Sequence, residues 1–320
     1  MEPRLVDQLN RLAEAAVHDP AQVRTLQQIV EHDQDRSVRE RARQVARPFV
    51  PRPDSEADLE RWLNNPLVGL AGLDLNPQPG LAVVPDPDAE GLTWFCGEPV
   101  AGLPEWPRRA DGIPLVHLLQ VRLGDRGPLS RRHPAMPTEG ILQFFHDLEA
   151  IGDEPADGVN GGWLVHHTLH GDTATLLPRP DDLTDDEFRD RCPAREEVTW
   201  TFPSPLDLDL DDRAFELLEA AHERVLETVT SAWGTYDLEE PPDDVPLLFA
   251  HGAEERLIAY QRLADVLSLA DRDDNYVLLA DIPGVGPLDG WVGDMGHIEY
   301  WIRDSDLTKQ DFAQAWALLR

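Results

Sequence analysis

The chain has 320 residues, 41% of them hydrophobic, and 61 acidic against 28 basic side chains give it a net charge of −33. That length supports a sizeable core, and the acidity disfavours direct binding to nucleic acid through plain phosphate repulsion. No apolar run reaches the ~18 residues of a membrane span, only Cys96 and Cys192 are present, and the opening Met-Glu-Pro-Arg lacks the pattern of a secretory leader, so a reduced, cytoplasmic protein without a disulfide framework is expected.

The charge is unevenly spread. Residues 1–50 hold 8 arginines and 8 acidic residues, so the whole of the −33 lies beyond them. A composition shift of this kind marks a boundary. Leu5, Leu9, Leu12 and Ala16 recur at helical spacing, as do Val23, Leu26, Ile29 and Val30, and then Val38, Ala42 and Val45 behind a capping Asp35. The expected organisation is a helical module over residues 1–50, a linker at Pro48, Pro51 and Pro53, and a second domain over residues 54–320.

Ser55 and Asp58 spell a capping box for a helix carrying Leu59, Trp62 and Leu63. Strands are predicted near Leu81–Val84 and Thr93–Cys96. A turn-rich stretch from Gly97 to Pro107 then leads to a strand at Leu115–Leu123, and Gly140 opens another through Phe145. Trp163–His170 and Glu197–Phe202 alternate as strands do. Helices are predicted over Asp211–Trp233 and Glu254–Leu269, strands over Tyr276–Ile282 and Gly296–Trp301, and a last helix from Thr308 that turns Phe312, Ala315, Trp316 and Leu319 inward. Strands and helices in segregated runs with short links predict an α+β fold with mainly antiparallel pairing.

Two strand pairs echo each other. Leu115, Leu119, Val121 and Leu123 share a pleat face with His117 as the exception, and Tyr276, Leu278, Ala280 and Ile282 share one in the second copy. Matching Gln120 with Asp281 keeps the pleat parity. Each strand leads through a Gly-Pro-Leu, at Gly127 and at Gly286, to a second strand in which Leu142-Gln143-Phe144-Phe145 matches Ile298-Glu299-Tyr300-Trp301. An internal duplication is expected.

The order of these pieces carries a resemblance. Gly97-x-Pro99, then Leu-Pro104-x-Trp106-Pro107, a strand through Gln120, and Gly140 followed by Leu-x-Phe144-Phe-x-Asp make the first part; Asp281 in its apolar strand, Gly296 and Tyr300-Trp301-Ile302 make the closing part. Together they resemble the YwqG-like family of bacterial proteins over roughly Asp54 to Arg320. The resemblance implies a mixed α and β fold. That family has no established activity, so it implies no catalytic residues, and the motif positions are expected to be structural. One departure lies at Ile258-Ala259-Tyr260-Gln261, where the family usually carries a Gly-Tyr-Pro and a later Gln. That surface is expected to be remodelled.

Motifs for chemistry are thin. His166-His167-x-x-His170 is the best metal-like spelling, but on a strand His166 and His170 lie too far apart to share one ion. Asp207, Asp209 and Asp211 would share a face if extended, without the glycine turn and closing Glu of a calcium loop. Gly284-Val285-Gly286 lacks the ending of a phosphate loop, no Gly-x-Ser-x-Gly occurs, and neither cysteine has a nearby histidine. No cofactor or metal is called for.

Two functions remain. The first is a non-catalytic binding protein, an immunity-type or regulatory partner of a basic protein, with Asp181, Asp182, Asp185, Asp186, Glu187, Asp207, Asp209 and Asp211 as the partner-binding acidic runs. The second is a carboxylate- or metal-dependent hydrolase or transferase with its site between the two repeats.

Overall fold

The computed structural model describes residues 3–16, 19–46, 61, 65, 77–169, 175–204, 206, 208, 215, 218, 244–251, 256–293 and 296–320. The helices expected at Ser55–Leu63 and Asp211–Trp233, the linker at Pro48, Pro51 and Pro53, and the candidate residues His170, Asp207, Asp209 and Asp211 fall outside these residues or almost wholly so. The chain divides into two compact units, one from Met1–Asn76 and Leu210–Thr228, the other from Pro77–Asp209 and Val229–Arg320.

In the first unit, α1 (Pro3–Ala16), α2 (Pro20–His32) and α3 (Arg36–Ala46) pack around Leu9, Leu26, Val30, Val38, Ala42 and Ala46. Local chemistry sets where the helices begin. Asp19 accepts the Ala21 amide ahead of a proline at the first helical position, and Asp35 accepts both the amide and the hydroxyl of Ser37.

The second unit is built on one antiparallel sheet of 10 strands, ordered β10-β9-β8-β7-β1-β6-β2-β3-β4-β5. The strands are β1 (Gln78–Pro85), β2 (Trp94–Phe95), β3 (Val116–Arg122), β4 (Ile141–His146), β5 (Trp163–Thr168), β6 (Cys192–Thr201), β7 (Leu247–Leu248), β8 (Tyr276–Pro283), β9 (His297–Arg303) and β10 (Trp316–Leu319). Short helices join them: α4 (Pro128–Arg132), α5 (Pro155–Val159), α6 (Arg256–Val266) and α7 (Asp304–Thr308). The fold is therefore α+β. The sheet curls until its far ends meet: Tyr300 donates its hydroxyl to the Phe145 carbonyl, Trp163 its indole to Ala315, and Leu319 its amide to Ile151. One apolar core fills the inside, with the Phe144 and Tyr300 rings 5.1 Å apart at its middle.

The strand order reads as two groups of five about the central β1–β6 pair, and the groups agree in register. Gln120 faces Gln143 across β3–β4, and Asp281 faces Glu299 across β8–β9. Both pairings slip by one residue at the same place, between His117 and Leu119 and between Leu278 and Ala280. The strand beside each also follows suit, Trp94 opposite Gln120 and Leu247 opposite Asp281. Past those strands Cys96 and Phe249 both take left-handed backbone, φ 56° and 55°, and both donate their amide to the bulged leucine, Leu118 or Leu279, at 3.1 Å. Gly127 and Gly286 match too, at φ 55° and 56° ahead of the fully buried Leu129 and Leu288.

The bulges correct the expected faces. An inserted residue moves everything beyond it to the other side of the pleat. His117 thus lies on the outer face with Gln120, which explains why it broke the apolar pattern. Tyr276 and Leu278 pack outside with Ala259 and Leu263 of α6 and Trp301 of β9, whereas Ala280 and Ile282 face the inner core. The predicted C-terminal helix is a second correction. Only α7 and a 3-10 turn at Phe312–Gln314 are helical, and Trp316–Leu319 is strand. Trp316 opposes Trp301 and Leu319 opposes Ile298, so the open edge of β9 captures a four-residue apolar run whose own periodicity cannot choose between helix and strand.

Candidate functional site

The outer faces of the two matched hairpins carry four buried polar side chains, Gln120 and Gln143 on the first and Asp281 and Glu299 on the second. The first pair is neutral. The Val100 amide donates to Gln120 Oε1 at 2.8 Å, and Gln143 Nε2 donates to the Val100 carbonyl at 2.7 Å and to Gln120 Oε1 at 3.1 Å. Gln120 Nε2 reaches the Leu92 carbonyl at 2.8 Å. The two amides clamp one extended residue of the stretch that follows β2, and both glutamines are fully buried.

Beside them Trp106, 5% exposed, donates its indole to the Leu115 carbonyl at 2.7 Å and meets the Phe145 ring edge-on at 6.1 Å. Pro104 and Pro107 hold the backbone on either side, and the Pro107 carbonyl accepts the Leu115 amide. Pro99 accepts the Leu177 amide. Gly97 and Gly140 have left-handed backbone, and a Cβ on Gly140 would lie 2.5 Å from the Thr168 carbonyl. On Gly296 it would lie 1.9 Å from the Val292 carbonyl. These motif residues therefore close backbone approaches and seal the hairpin.

In the second hairpin the corresponding face is charged. His297 Nδ1 lies 2.8 Å from Asp281, its Nε2 lies 3.5 Å from Asp244, and Arg320 stands 3.1 Å from Glu299. Trp301 donates its indole to the same Glu299 oxygen at 2.8 Å. Asp281 and Glu299 are 3% and 1% exposed, so no substrate reaches either carboxylate directly. Burial opposes the charge on His297, but the hydrogen bond its Nδ1–H donates to Asp281 and the charges of Asp281, Asp244 and Glu299 outweigh it and lift its pKa to about 9. Burial, joined by the Asp281 charge, pushes the Glu299 carboxyl up to about 7 against the pull of Arg320 and Trp301. His297, Glu299 and Arg320 were not among the expected site residues. The signal for Glu299 was present, since the register that matches Gln120 with Asp281 matches Gln143 with Glu299; nothing local pointed to Arg320.

The expected acidic run takes a definite shape. Asp182 makes a two-pronged pair with Arg108 at 2.7 and 2.9 Å, which holds its carboxyl below the usual range. Asp185 meets Arg179 at 2.8 Å, and Glu187 accepts the amide and hydroxyl of Thr184. Leu183 is buried, Arg179 donates to its carbonyl, and Trp291 donates its indole to the Asp186 carbonyl at 2.9 Å. Asp181 and Asp186 leave their carboxylates exposed. His166 and His167 lie on β5, with His167 Nε2 3.0 Å from the Glu139 carbonyl, and among the described residues no three His, Cys, Asp or Glu side chains gather as a metal site. Nor, among them, is any helix long and apolar enough to cross a membrane.

The fold and its sealed hairpins define an α+β protein with one curled antiparallel sheet. Residues 94–320 match the family described as a domain of unknown function, DUF1963, and the chain belongs to that family. The match starts at β2 and runs through β10. No curated protein matches the chain.

Proposed function

We propose that the protein is a non-catalytic, cytoplasmic binding protein that engages a basic protein, in the manner of an immunity or regulatory partner. The observation that carries this reading is the anchored acidic turn at Asp181–Glu187. A run of charge that serves solubility alone needs no fixed backbone. Here Leu183, Arg179 and Trp291 pin the turn while Asp181 and Asp186 stay in water. Charge held in a set geometry steers a partner without a large ordering cost at the moment of docking. The excess of acidic over basic side chains beyond residue 50 points the same way. Replacing Asp185, Asp186 and Glu187 with neutral amides should slow association with a basic partner isolated by affinity capture, and leave dissociation almost unchanged. Equal association rates for the two proteins at low salt would return the acidity to solubility.

The family assignment made from the motifs, YwqG-like, is part of this proposal, as are the division at residues 50–54 and descent of the two sheet halves from an internal duplication. What supports duplication is the agreement of register, bulge, left-handed residue and Gly-Pro-Leu turn at matched positions. A second functional reading, a carboxylate-dependent enzyme, is favoured only by the Asp281, His297 and Glu299 cluster. The burial of its carboxylates counts against it.

A further inference from the structure

A cleft of about 470 Å³ opens at the end of the second hairpin, floored by Tyr276, Leu278 and Trp301. The matched positions of the first hairpin are Leu115, His117 and Phe145, and there Trp106 is seated on the Leu115 carbonyl and the Phe145 ring. Tyr260 takes the place of Trp106 in the second hairpin: its hydroxyl lies 3.0 Å from the Tyr276 carbonyl and its ring meets Trp301 edge-on at 5.8 Å. The phenol completes the same main-chain contact, and the Tyr276 and Trp301 that it touches line the cleft. Tyr260 belongs to the segment Ile258-Ala259-Tyr260-Gln261, which is expected to depart from the family pattern.

The rim decides what the cleft takes. Asp273 and Asp304 line it, both exposed, and neither carboxylate has a partner among the described residues. Arg256, His133 and His251 line it as well; the Arg256 guanidinium donates to the Tyr260 hydroxyl and lies 4.7 Å over that ring, and the two carboxylates outnumber that one guanidinium. Two open carboxylates over an aromatic and aliphatic floor suit a flat or compact cation on an apolar stem. The volume falls within the range of small-molecule pockets. We propose that the cleft is a recognition pocket for the guanidinium or ammonium group of an arginine or lysine side chain presented by the partner. This rests on the reading of the protein as a binder of a basic protein.

The test uses the full chain and acetyl-Gly-Arg-Gly-amide, with the citrulline analogue as a neutral control of the same shape, followed by NMR at the Trp301 indole. The arginine peptide is expected to bind at least tenfold more tightly than the citrulline one. Asp273→Asn with Asp304→Asn should weaken it about tenfold, and so should Thr308→Trp, which fills the cleft from its exposed rim without touching a carboxylate. Asp88→Asn with Glu90→Gln, exposed carboxylates that do not line the cleft, should leave it unchanged. Equal binding of the two peptides, no binding, or full affinity in the rim variants overturns the proposal. If the peptide fails while the acidic-turn variant still slows association with a basic partner, the cleft falls and the binding role stands; if both fail, both fall.

Discussion

Trp106 shows how one side chain closes a face of the sheet. Its indole is fixed by a carbonyl at one end and an aromatic edge at the other, with prolines limiting the backbone on both sides. Trp106→Ala should cost roughly 3–5 kcal/mol, as large aromatic truncations in cores do. Urea unfolding measures this, and an unchanged midpoint would place Trp106 outside the folding core. Two buried histidines make a second residue-scale point. Burial holds His117 and His146 neutral with pKa values near 4, despite the Gly97 and Cys96 carbonyls beside the first and the Asp147 and Asp157 charges near the second. Both are depressed below the unfolded value of about 6.5, so the stability they contribute is present above that pH and is lost as pH falls through 4. His146→Asn cannot charge. Its stability curve should lose less between pH 6.5 and 4 than that of the wild type, whatever its absolute level, and identical slopes would show that folding does not lower the pKa of His146.

At the scale of the hairpin, the two matched elements answer pH in opposite ways. The first is neutral, with its Gln120–Gln143 clamp and its uncharged histidines. The second holds three carboxylates against His297 and Arg320. There the folded pKa values lie above the ordinary ones: Glu299 rises from 4.5 to about 7, and His297 from 6.5 to about 9. Each proton is bound more tightly in the folded chain. The stability from Glu299 is therefore complete below pH 4.5 and lost as pH rises through 7, and that from His297 is complete below pH 6.5 and lost through 9. Glu299→Gln should flatten the first decline and His297→Gln the second, as read from melting midpoints across the range. A decline that survives in both variants would assign it to general repulsion among the acidic side chains instead.

For the whole molecule the net charge of −33 sets the terms. Exposed charges contribute little to folding one by one, and many of one sign repel. Replacing Asp185, Asp186 and Glu187 with neutral amides should leave the melting midpoint unchanged or slightly raised. A marked drop would mean that the Arg179 and Thr184 contacts matter more to folding than exposed pairs usually do. Steering, in contrast, adds over the whole face and is screened beyond about 8 Å at physiological salt, so any loss of association rate should shrink as salt rises.

The sequence by itself determined most of the strands, the three N-terminal helices, the antiparallel α+β class and the match of Gln120 with Asp281. These follow from periodicity and from glycine and proline punctuation, which act over a few residues. Tertiary structure decided the rest. Bulges at Leu118 and Leu279 reversed pleat faces that strict alternation had assigned, because pairing in the sheet, not local propensity, inserts the extra residue. The β9 edge drew Trp316–Leu319 into a strand where a helix was expected. Asp244, Asp281, the β9 pair His297 and Glu299, and Arg320 are brought to one largely buried cluster from four separate stretches of chain. No spacing rule reaches across those distances; the curl of the sheet and the desolvation of its charges give the cluster its shifted protons.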